Sequence, residues 1–445
     1  MHEDYKAVGS QYGITRRDFL WITSLSAAGF VTGCATSAVT GKPLLMLVSE
    51  DQEIKIDKEN SPHQFSTDYG IIQDTNLNDY IKQTGQKLAV RTHRTHMPYS
   101  FRVVNANYVN AYAFPGGSIA CTRGILLSLE NEAELAALLG HELGHVNARH
   151  TAQQMSKGIL TQAAVGGLSA LAGTQGAAYG QLASQLGMIG VGALLASYSR
   201  DNEREADSLG MEYMVRAGYT PKGMIGLMDV LRGLSRSKPN IIELMFATHP
   251  MSEERYQTAV NTSQSKYKSN EVLSLYRERY MDHTAKLRVL KPAIEEMQKG
   301  EKEMMQKKFS EAEAYFEKAL KSAPNDYTGL VMMSTCKLFQ EKYTEGITFA
   351  EKAKQVYPQQ AHAYHLSGFA KIKTKNFEGA YQEFITYEKI LPGNPNTIFF
   401  KGYSQEGMQH IEKAASEYKR YLQFVQGGEK AKHAYTYLKK WGYYK

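Results

Sequence analysis

The last third of the chain repeats at an interval of 34 residues, which constrains the possible fold more than any other feature. Pro324, Pro358 and Pro392 stand one interval apart. The other positions that keep this register are Phe309, Tyr343 and Phe377; Ala312, Gly346, Ala380 and Ala414; Phe316, Phe384 and Tyr418, with Ala350 in the second repeat; and Gly300, Gly368 and Gly402, with Ser334 in the second repeat. The pattern is typical of stacked helix pairs, because small residues let two helices approach and proline ends the second one.

The interval and the order of small, aromatic, alanine and proline positions resemble the tetratricopeptide repeat. Four repeats begin near residues 293, 327, 361 and 395, and a helix near 429–440 is expected to cap the stack. The resemblance implies an α-solenoid over residues 290–445. Its concave surface would bind peptides, unless the repeats only brace the part of the chain that precedes them.

Composition places the chain among folded proteins. Its 445 residues suggest two or three domains. With 42% hydrophobic and 22% charged residues, it is not a disordered tail, a collagen or a polytopic membrane protein. The net charge is +7, of which residues 291–445 carry +6, and this excess is too weak to indicate a nucleic-acid partner. Three cysteines, Cys34, Cys121 and Cys336, cannot form a disulfide framework.

The N-terminus is predicted to be an export signal covering residues 1–33. A twin-arginine pair at 16–17 precedes an uncharged stretch that has the length of a signal sequence and is short for a membrane span. Small residues then precede Cys34, as in a bacterial lipobox, and Ala35 is typical of outer-membrane sorting. We expect a lipid on Cys34 and a location in the periplasm, at the inner leaflet of the outer membrane. The alternative is a secretory signal cut nearby, with Cys34 incidental; twin-arginine and general export both stay open.

Residues His141–His145 follow the pattern H-E-x-x-H. Apolar residues at helical spacing predict a helix over Glu132–Arg149, with Asn131 capping its start. On a helix, positions four apart share a face, so His141 and His145 can bind one metal ion, with Glu142 beside them as the base. The alternative is a purely structural pair of histidines.

A catalytic zinc needs a third protein ligand. The metzincin continuation of the motif is absent, because Ala148 and Thr151 replace its glycine and histidine. Downstream, Glu203 and Asp207 lie four apart on one helical face, whereas Glu205 points away from that face. Glu203 is the better ligand, and Asp207 is suited to orient a ligand histidine. The alternative is that this run of charged residues lies on a solvated face, and we adopt that interpretation for Arg204 and Glu205.

Several short motifs together resemble one family. They are H-E-L-G-H at 141–145, S-R-x-x-E-x-E-A-D at 199–207, Thr248-His249-Pro250 with Arg255, and the segments Asn110–Gly117 and Thr122–Leu127. In combination they resemble the zinc metallopeptidases that include HtpX and the CAAX prenyl proteases. The resemblance implies a mainly α-helical zincin-like domain with a small β-sheet over residues 45–285, and one Zn²⁺ per chain.

The resemblance also implies residue roles. His141, His145 and Glu203 would bind zinc, Glu142 would act as general base and then as general acid, and Asp207 would support the site. His249 would stabilise the oxyanion or close the open position of the zinc, or it is an ordinary loop histidine. Arg255 would fix that loop or bind an acidic neighbour. His150 is assigned no role.

Substrate is expected to bind along a strand edge. Alternation predicts strands over 101–109 and 112–121, with a turn at Pro115–Gly117. An edge strand beside the zinc would hold a peptide extended, which favours broad substrate choice. The residues predicted to contact substrate are Asn110, Ala111, Tyr112 and Ala113.

Residues 158–199 contain no charged residue. Glutamines and glycines interrupt any clean apolar run, so we expect two small-residue helices that pack near the active site. A membrane span and a mobile lid over the cleft are the alternatives.

The resemblance implies a lipid-anchored periplasmic zinc endopeptidase for envelope quality control. It would cut misfolded or stalled outer-membrane proteins, and the repeats would dock substrate or the β-barrel assembly machinery. The alternative is a chaperone or scaffold for outer-membrane protein assembly, which acts through its repeats and has only latent protease activity.

Overall fold

The computed structural model describes residues 34–165, 198–237, 245 and 247–444. The predicted export signal at 1–33 lies outside the described residues, and so does the part of the uncharged stretch from 166 to 197. Among the described residues, no helix combines the length and the apolar character needed to cross a membrane. Cys121 and Cys336 are both buried free thiols.

A small three-stranded sheet lies in the first part of the chain. Its strands are β3 Ser100–Val104, β4 Ala111–Ala113 and β5 Ser118–Thr122, and they follow a hairpin of β1 Cys34–Thr36 and β2 Pro43–Leu45. The order is β3-β5-β4, with β3 parallel and β4 antiparallel to β5. Strand β4 is therefore an edge strand.

The predicted strand over 101–109 is too long. The observed β3 ends at Val104, because the amide of Asn105 donates to the carbonyl of Gly70 at 2.9 Å and so leaves the sheet. The predicted strand over 112–121 is a hairpin of β4 and β5 around the turn at Pro115–Gly117. The chain between Asn105 and β4 supplies polar groups to other parts of the molecule.

Nine helices of the described residues surround this sheet. They are α1 Glu50–Thr67, α2 Thr75–Ala89, α3 Arg123–Leu126, α4 Glu132–Ala148, α5 His150–Val165, α6 Arg200–Arg216, α7 Lys222–Ser237, α8 Glu253–Gln264 and α9 Arg277–Val289. Every residue of α4 is buried, so it is the central helix. Its N-cap is Asn131, whose side chain accepts a hydrogen bond from the amide of Glu134. The mainly helical fold with a small sheet is confirmed.

Helices α4 and α6 touch through glycines. A Cβ atom on Gly144 would lie 2.8 Å from the carbonyl oxygen of Ala206, and one on Gly140 would lie 2.8 Å from that of Gly210. Side chains at these positions would force the helices apart. The glycines thus bring the H-E-x-x-H face of α4 against the helix that starts at Arg200.

The last part of the chain is a stack of helix pairs, as the 34-residue interval predicts. The helices are α10 Lys291–Met305, α11 Phe309–Ser322, α12 Tyr327–Phe339, α13 Tyr343–Val356, α14 His362–Lys373, α15 Phe377–Ile390, α16 Pro395–Gly407, α17 Ile411–Leu422 and the capping helix α18 Glu429–Lys440. The repeated glycine packs against the repeated aromatic ring of the same pair: Gly300 on Phe316, Gly368 on Phe384 and Gly402 on Tyr418.

The two parts of the molecule share a buried junction. One apolar cluster runs without interruption from Leu77 in α2 to Cys336 in α12. The guanidinium of Arg123, almost fully buried, forms an ion pair with Asp326 at 2.7 Å. Further along, the Ser66 hydroxyl at the end of α1 donates to Gln360 at 2.7 Å. Helix α1 also forms one wall of a cavity of about 740 Å³ against the repeats.

Candidate metal centre

Three buried side chains from α4 and α6 converge on one point. The Nε2 atoms of His141 and His145 lie 3.0 Å apart. The carboxylate of Glu203 places Oε1 3.3 Å from His145 Nε2 and Oε2 3.6 Å from His141 Nε2. The spacing of four residues explains the first contact, and the glycine contact between the helices explains the second and third.

These separations fit a tetrahedral metal. Ligand atoms about 2.1 Å from a tetrahedral zinc lie about 3.4 Å from one another. The donor set of two imidazoles and one carboxylate is one that zinc uses in catalytic sites, where a fourth position stays open. In the described residues, His141, His145, Glu203 and His249 offer ligand atoms that all lie within 4.8 Å of one another.

His249 reaches the same point from the loop before α8. Its Nδ1 lies 3.1 Å from Glu203 Oε1 and 3.3 Å from His141 Nε2. The backbone holds it there: the amide of His249 donates to Met245, and the amide of Tyr198 donates to Thr248. The structure therefore places His249 at ligand distance in the cluster.

Glu142 is buried beside the cluster. Among the described residues, neither of its carboxylate oxygens accepts a hydrogen bond, and His249 Nε2 is 3.8 Å from Oε1. Burial raises the pKa of the Glu142 carboxyl, against the lowering effect of His249 and His141. A carboxylate with free lone pairs and a raised pKa is suited to take up a proton and release it again.

Asp207 and Arg255 form an outer layer around the ligands. Asp207 Oδ1 is 2.9 Å from His141 Nδ1, the nitrogen that faces away from the cluster. Arg255 donates to both oxygens of Asp207, contacts Glu203 Oε2 at 2.6 Å, and donates to the carbonyl of Pro250 in the His249 loop. Arg255 thus contacts both the acidic neighbours and the loop.

These contacts shift the protonation of the acids. Burial alone would raise the pKa of Glu203, but the nearby His141, His145 and His249 hold it below its usual range. The pKa of Asp207 is likewise lowered, because the hydrogen bonds from His141 and Arg255 outweigh its burial. Both groups are therefore carboxylates, as metal ligation and histidine orientation require.

Three further residues surround His145 that the sequence did not single out. His150 Nδ1 lies 2.9 Å from His145 Nδ1, and Glu205 Oε2 lies 3.1 Å from His150 Nε2. The ring of Tyr198 stacks on His145 with centroids 3.8 Å apart. The only sequence signal was a third histidine five residues beyond the motif. Glu205 does not join the ligand cluster, but it is not simply a solvated charge.

The residues predicted to bind substrate occupy the sheet edge and its approach. Ala111, Tyr112 and Ala113 form β4, and Ala113 lines the same small cleft as His145. The Tyr112 hydroxyl donates to Asp68, so that side chain is occupied within the protein. Asn110 is bonded through its backbone to Thr122, and its buried Oδ1 accepts no hydrogen bond in the described part of the chain.

Residues 75–263 match the description "Peptidase family M48". They form a metallopeptidase domain of family M48. The resemblance drawn from the short motifs is thereby confirmed.

Two relatives extend the comparison. The chain is 33% identical over 201 residues to the β-barrel assembly-enhancing protease of Yersinia pestis, covering 43% of this chain and 40% of the relative. It is 35% identical over 160 residues to metalloprotease YcaL of Escherichia coli strain K12, covering 36% of this chain and 60% of the relative. The chain thus spans between two and three fifths of the length of these relatives. In both cases the similarity is to a named protease.

Among solved structures, a tetratricopeptide-repeat protein named YrrB aligns with a TM-score of 0.32 at 15% identity. The alignment covers 47% of this chain and 99% of that one.

Proposed function

We propose that this protein is a zinc-dependent endopeptidase of the bacterial envelope. The observation that carries the proposal is the meeting of His141, His145 and Glu203 around one point. Beside it lies the carboxylate of Glu142, which accepts no hydrogen bond from the described residues. The M48 domain and the relatives named as proteases support the same reaction. No other arrangement of metal-ligating side chains is found in the described residues.

Zinc held by these three residues would supply Lewis-acid polarisation of the scissile carbonyl and of the attacking water. Glu142 would take the proton of that water and then deliver it to the leaving amine. Burial favours this double role, because it raises the pKa of Glu142 above its usual range. Strand β4 would hold the substrate backbone extended along the edge that does not pair with β5, where Ala111 and Ala113 are buried in this structure.

The position of His249 supports a resting form of the enzyme in which the metal site is closed. Its Nδ1 is at ligand distance from the cluster, where it would close the fourth position of the zinc. Movement of the loop would open that position to substrate. In the open form His249 would be placed to stabilise the oxyanion, so its two expected roles belong to different states.

The relatives and the N-terminal motif support a proposal for the substrate and the location. We assign misfolded or stalled outer-membrane proteins as substrates, with the repeats docking them or the β-barrel assembly machinery. Lipid on Cys34 would hold the protein at the periplasmic face of the outer membrane. The name of the Yersinia pestis relative supports the link to β-barrel assembly.

The deciding experiment is metal content by mass spectrometry together with cleavage of unfolded casein. We expect one zinc per chain and activity in the wild type, and loss of activity of about a hundredfold or more in Glu142→Gln with zinc retained. The matched control is Glu130→Gln, which alters an exposed glutamate just before α4. A chain without zinc, or a Glu142→Gln variant as active as the wild type, would refute the proposal.

Complementation of an envelope-stress defect separates this reading from the chaperone or scaffold reading. The protease reading requires that Glu142→Gln fails to complement. Full complementation by this variant would assign the function to the repeats.

Anchoring has its own test. Because only Cys34 is expected to carry lipid, Cys34→Ala should move the protein from the membrane fraction to the soluble periplasm. The readout is fractionation followed by immunoblotting, with Cys336→Ala as the control thiol. A Cys34→Ala protein that stays in the membrane fraction would refute lipid anchoring at this residue.

A further inference from the structure

His145 is held on the side that faces away from the metal cluster. Its Nδ1 is 2.9 Å from Nδ1 of His150, and Nε2 of His150 is 3.1 Å from the Glu205 carboxylate. His150 is completely buried, whereas the Glu205 side chain is about one third exposed. The three groups form a chain that leads from the cluster to the surface of α6.

The positions of the protons in this chain follow from its acidic end. A carboxylate only accepts hydrogen bonds, so Nε2 of His150 must carry a hydrogen. In a neutral imidazole the other nitrogen is then an acceptor, and therefore Nδ1 of His145 must donate. That leaves the lone pair of His145 on Nε2, which is the nitrogen that faces His141 and Glu203.

The two ligand histidines are therefore supported in different ways. His141 bonds directly to the Asp207 carboxylate, whereas His145 reaches its carboxylate through a second histidine. Both carboxylates come from α6, two residues apart. The ring plane of His145 is fixed as well, because Tyr198 stacks on it and is itself tied to Thr151 by its hydroxyl at 3.0 Å.

We propose that His150 and Glu205 are positioning residues of the metal centre, which fix the tautomer and the orientation of His145. Partners of this kind usually account for about 10- to 100-fold in metal affinity. The inference rests on the proposed function, since it takes the cluster to be a zinc site. It assigns a role to a buried histidine that would otherwise be only a packed core residue.

The test is the zinc affinity of the full chain, purified in detergent and measured by competition with a chelator. We expect His150→Leu to weaken zinc binding about 10- to 100-fold and Glu205→Leu by less, because water can replace a partly exposed carboxylate. His150→Gln should restore most of the affinity, since its amide can both accept from His145 and donate to Glu205. Asp201→Leu is the matched control, because that acid of α6 is exposed and pairs with Arg204 at the surface.

A second measurement detects the hydrogen-bond chain from His145 through His150 to Glu205, and it does not depend on enzyme activity. In the cobalt-substituted protein, the Nδ1 protons of both ligand histidines should give slowly exchanging, paramagnetically shifted NMR signals. His150→Leu should lose the signal of His145 and keep that of His141.

The outcomes are distinguishable. Wild-type zinc affinity in a folded His150→Leu protein would overturn the positioning role of His150 and Glu205, and so would equal losses of zinc affinity in His150→Leu and His150→Gln. Either result would leave the proposed function intact. A wild type that binds no zinc would overturn both. Melting of the metal-free variants shows whether each is folded.

Discussion

At the scale of single residues, the buried polar atoms of the metal centre have few alternative hydrogen-bond partners. Helical periodicity was enough to bring His141 and His145 together, and to place Glu203 and Asp207 on one face of the next helix. It could not place His150. Arg149 adopts a left-handed conformation with φ of 60°, and this turn brings the next residue back beneath His145. No pattern in the sequence marks such a reversal.

His249 gives the prediction at this scale. We expect His249→Ala to raise the rate of casein cleavage several-fold, because it removes the nitrogen that lies 3.1 Å from Glu203 and would close the fourth metal position. The measurement is steady-state cleavage, with the exposed His96→Ala as control. A lower kcat with an unchanged KM would contradict this and assign His249 to the oxyanion alone.

At the scale of elements, the positions that decide the structure are those where backbone meets backbone or turns sharply. The 34-residue interval predicted the helix pairs, since each glycine of the pattern receives a ring from the same pair. It did not reveal that Lys307, Glu341, Lys375 and Gln409 share a left-handed conformation at the end of the first helix of each pair. Two lysines, a glutamate and a glutamine occupy these positions, and none of them favours a left-handed conformation as glycine does, so residue type carries no signal for the turn.

Gly144→Ala tests the contact between α4 and α6. The added methyl group would lie 2.8 Å from a backbone oxygen and 2.9 Å from the Cα of Ala206, and backbone cannot yield as a flexible side chain does. We expect a loss of about 1–3 kcal/mol and weaker zinc binding, because the two helices carry different ligands. The measurements are the melting temperature and zinc affinity. Gly233→Ala in helix α7, where an added Cβ would meet no described atom within 4 Å, should change neither.

At the scale of the whole molecule, the buried junction between the metallopeptidase domain and the repeats could not be predicted from the sequence. Arg123 and Asp326 are far apart in the chain, and neither stands in a pattern that refers to the other. The proposed division near residue 285–290 follows the change of motif, yet the buried cluster continues across it from Leu77 to Cys336. Removal of the repeats would therefore expose part of the core.

Glu301 makes this junction sensitive to pH. Burial raises its pKa to about 7, against the lowering effect of Arg123 and Asn107. The folded protein thus binds this proton more tightly than the unfolded chain, so the contribution to stability is complete below about pH 4.5 and is lost as pH rises to about 7. The loss is at most about 3 kcal/mol.

The measurement is the melting temperature between pH 5 and 8. The wild type should lose stability relative to Glu301→Gln across this range, whereas Glu311→Gln, an exposed glutamate of α11, should follow the wild type. A pH-independent difference between the wild type and Glu301→Gln would contradict the prediction.

Helix α1 extends from the neighbourhood of the metal centre to the cavity against the repeats. Glu53, near its start, contacts Arg149 just after the metal-site helix, and His63, near its end, lines the cavity against the repeats. Ten residues of helix separate them, or about 15 Å. An extended peptide crosses that distance in about five residues. A polypeptide bound in the cavity would therefore need about five further extended residues to reach the start of α1 beside the metal-site helix.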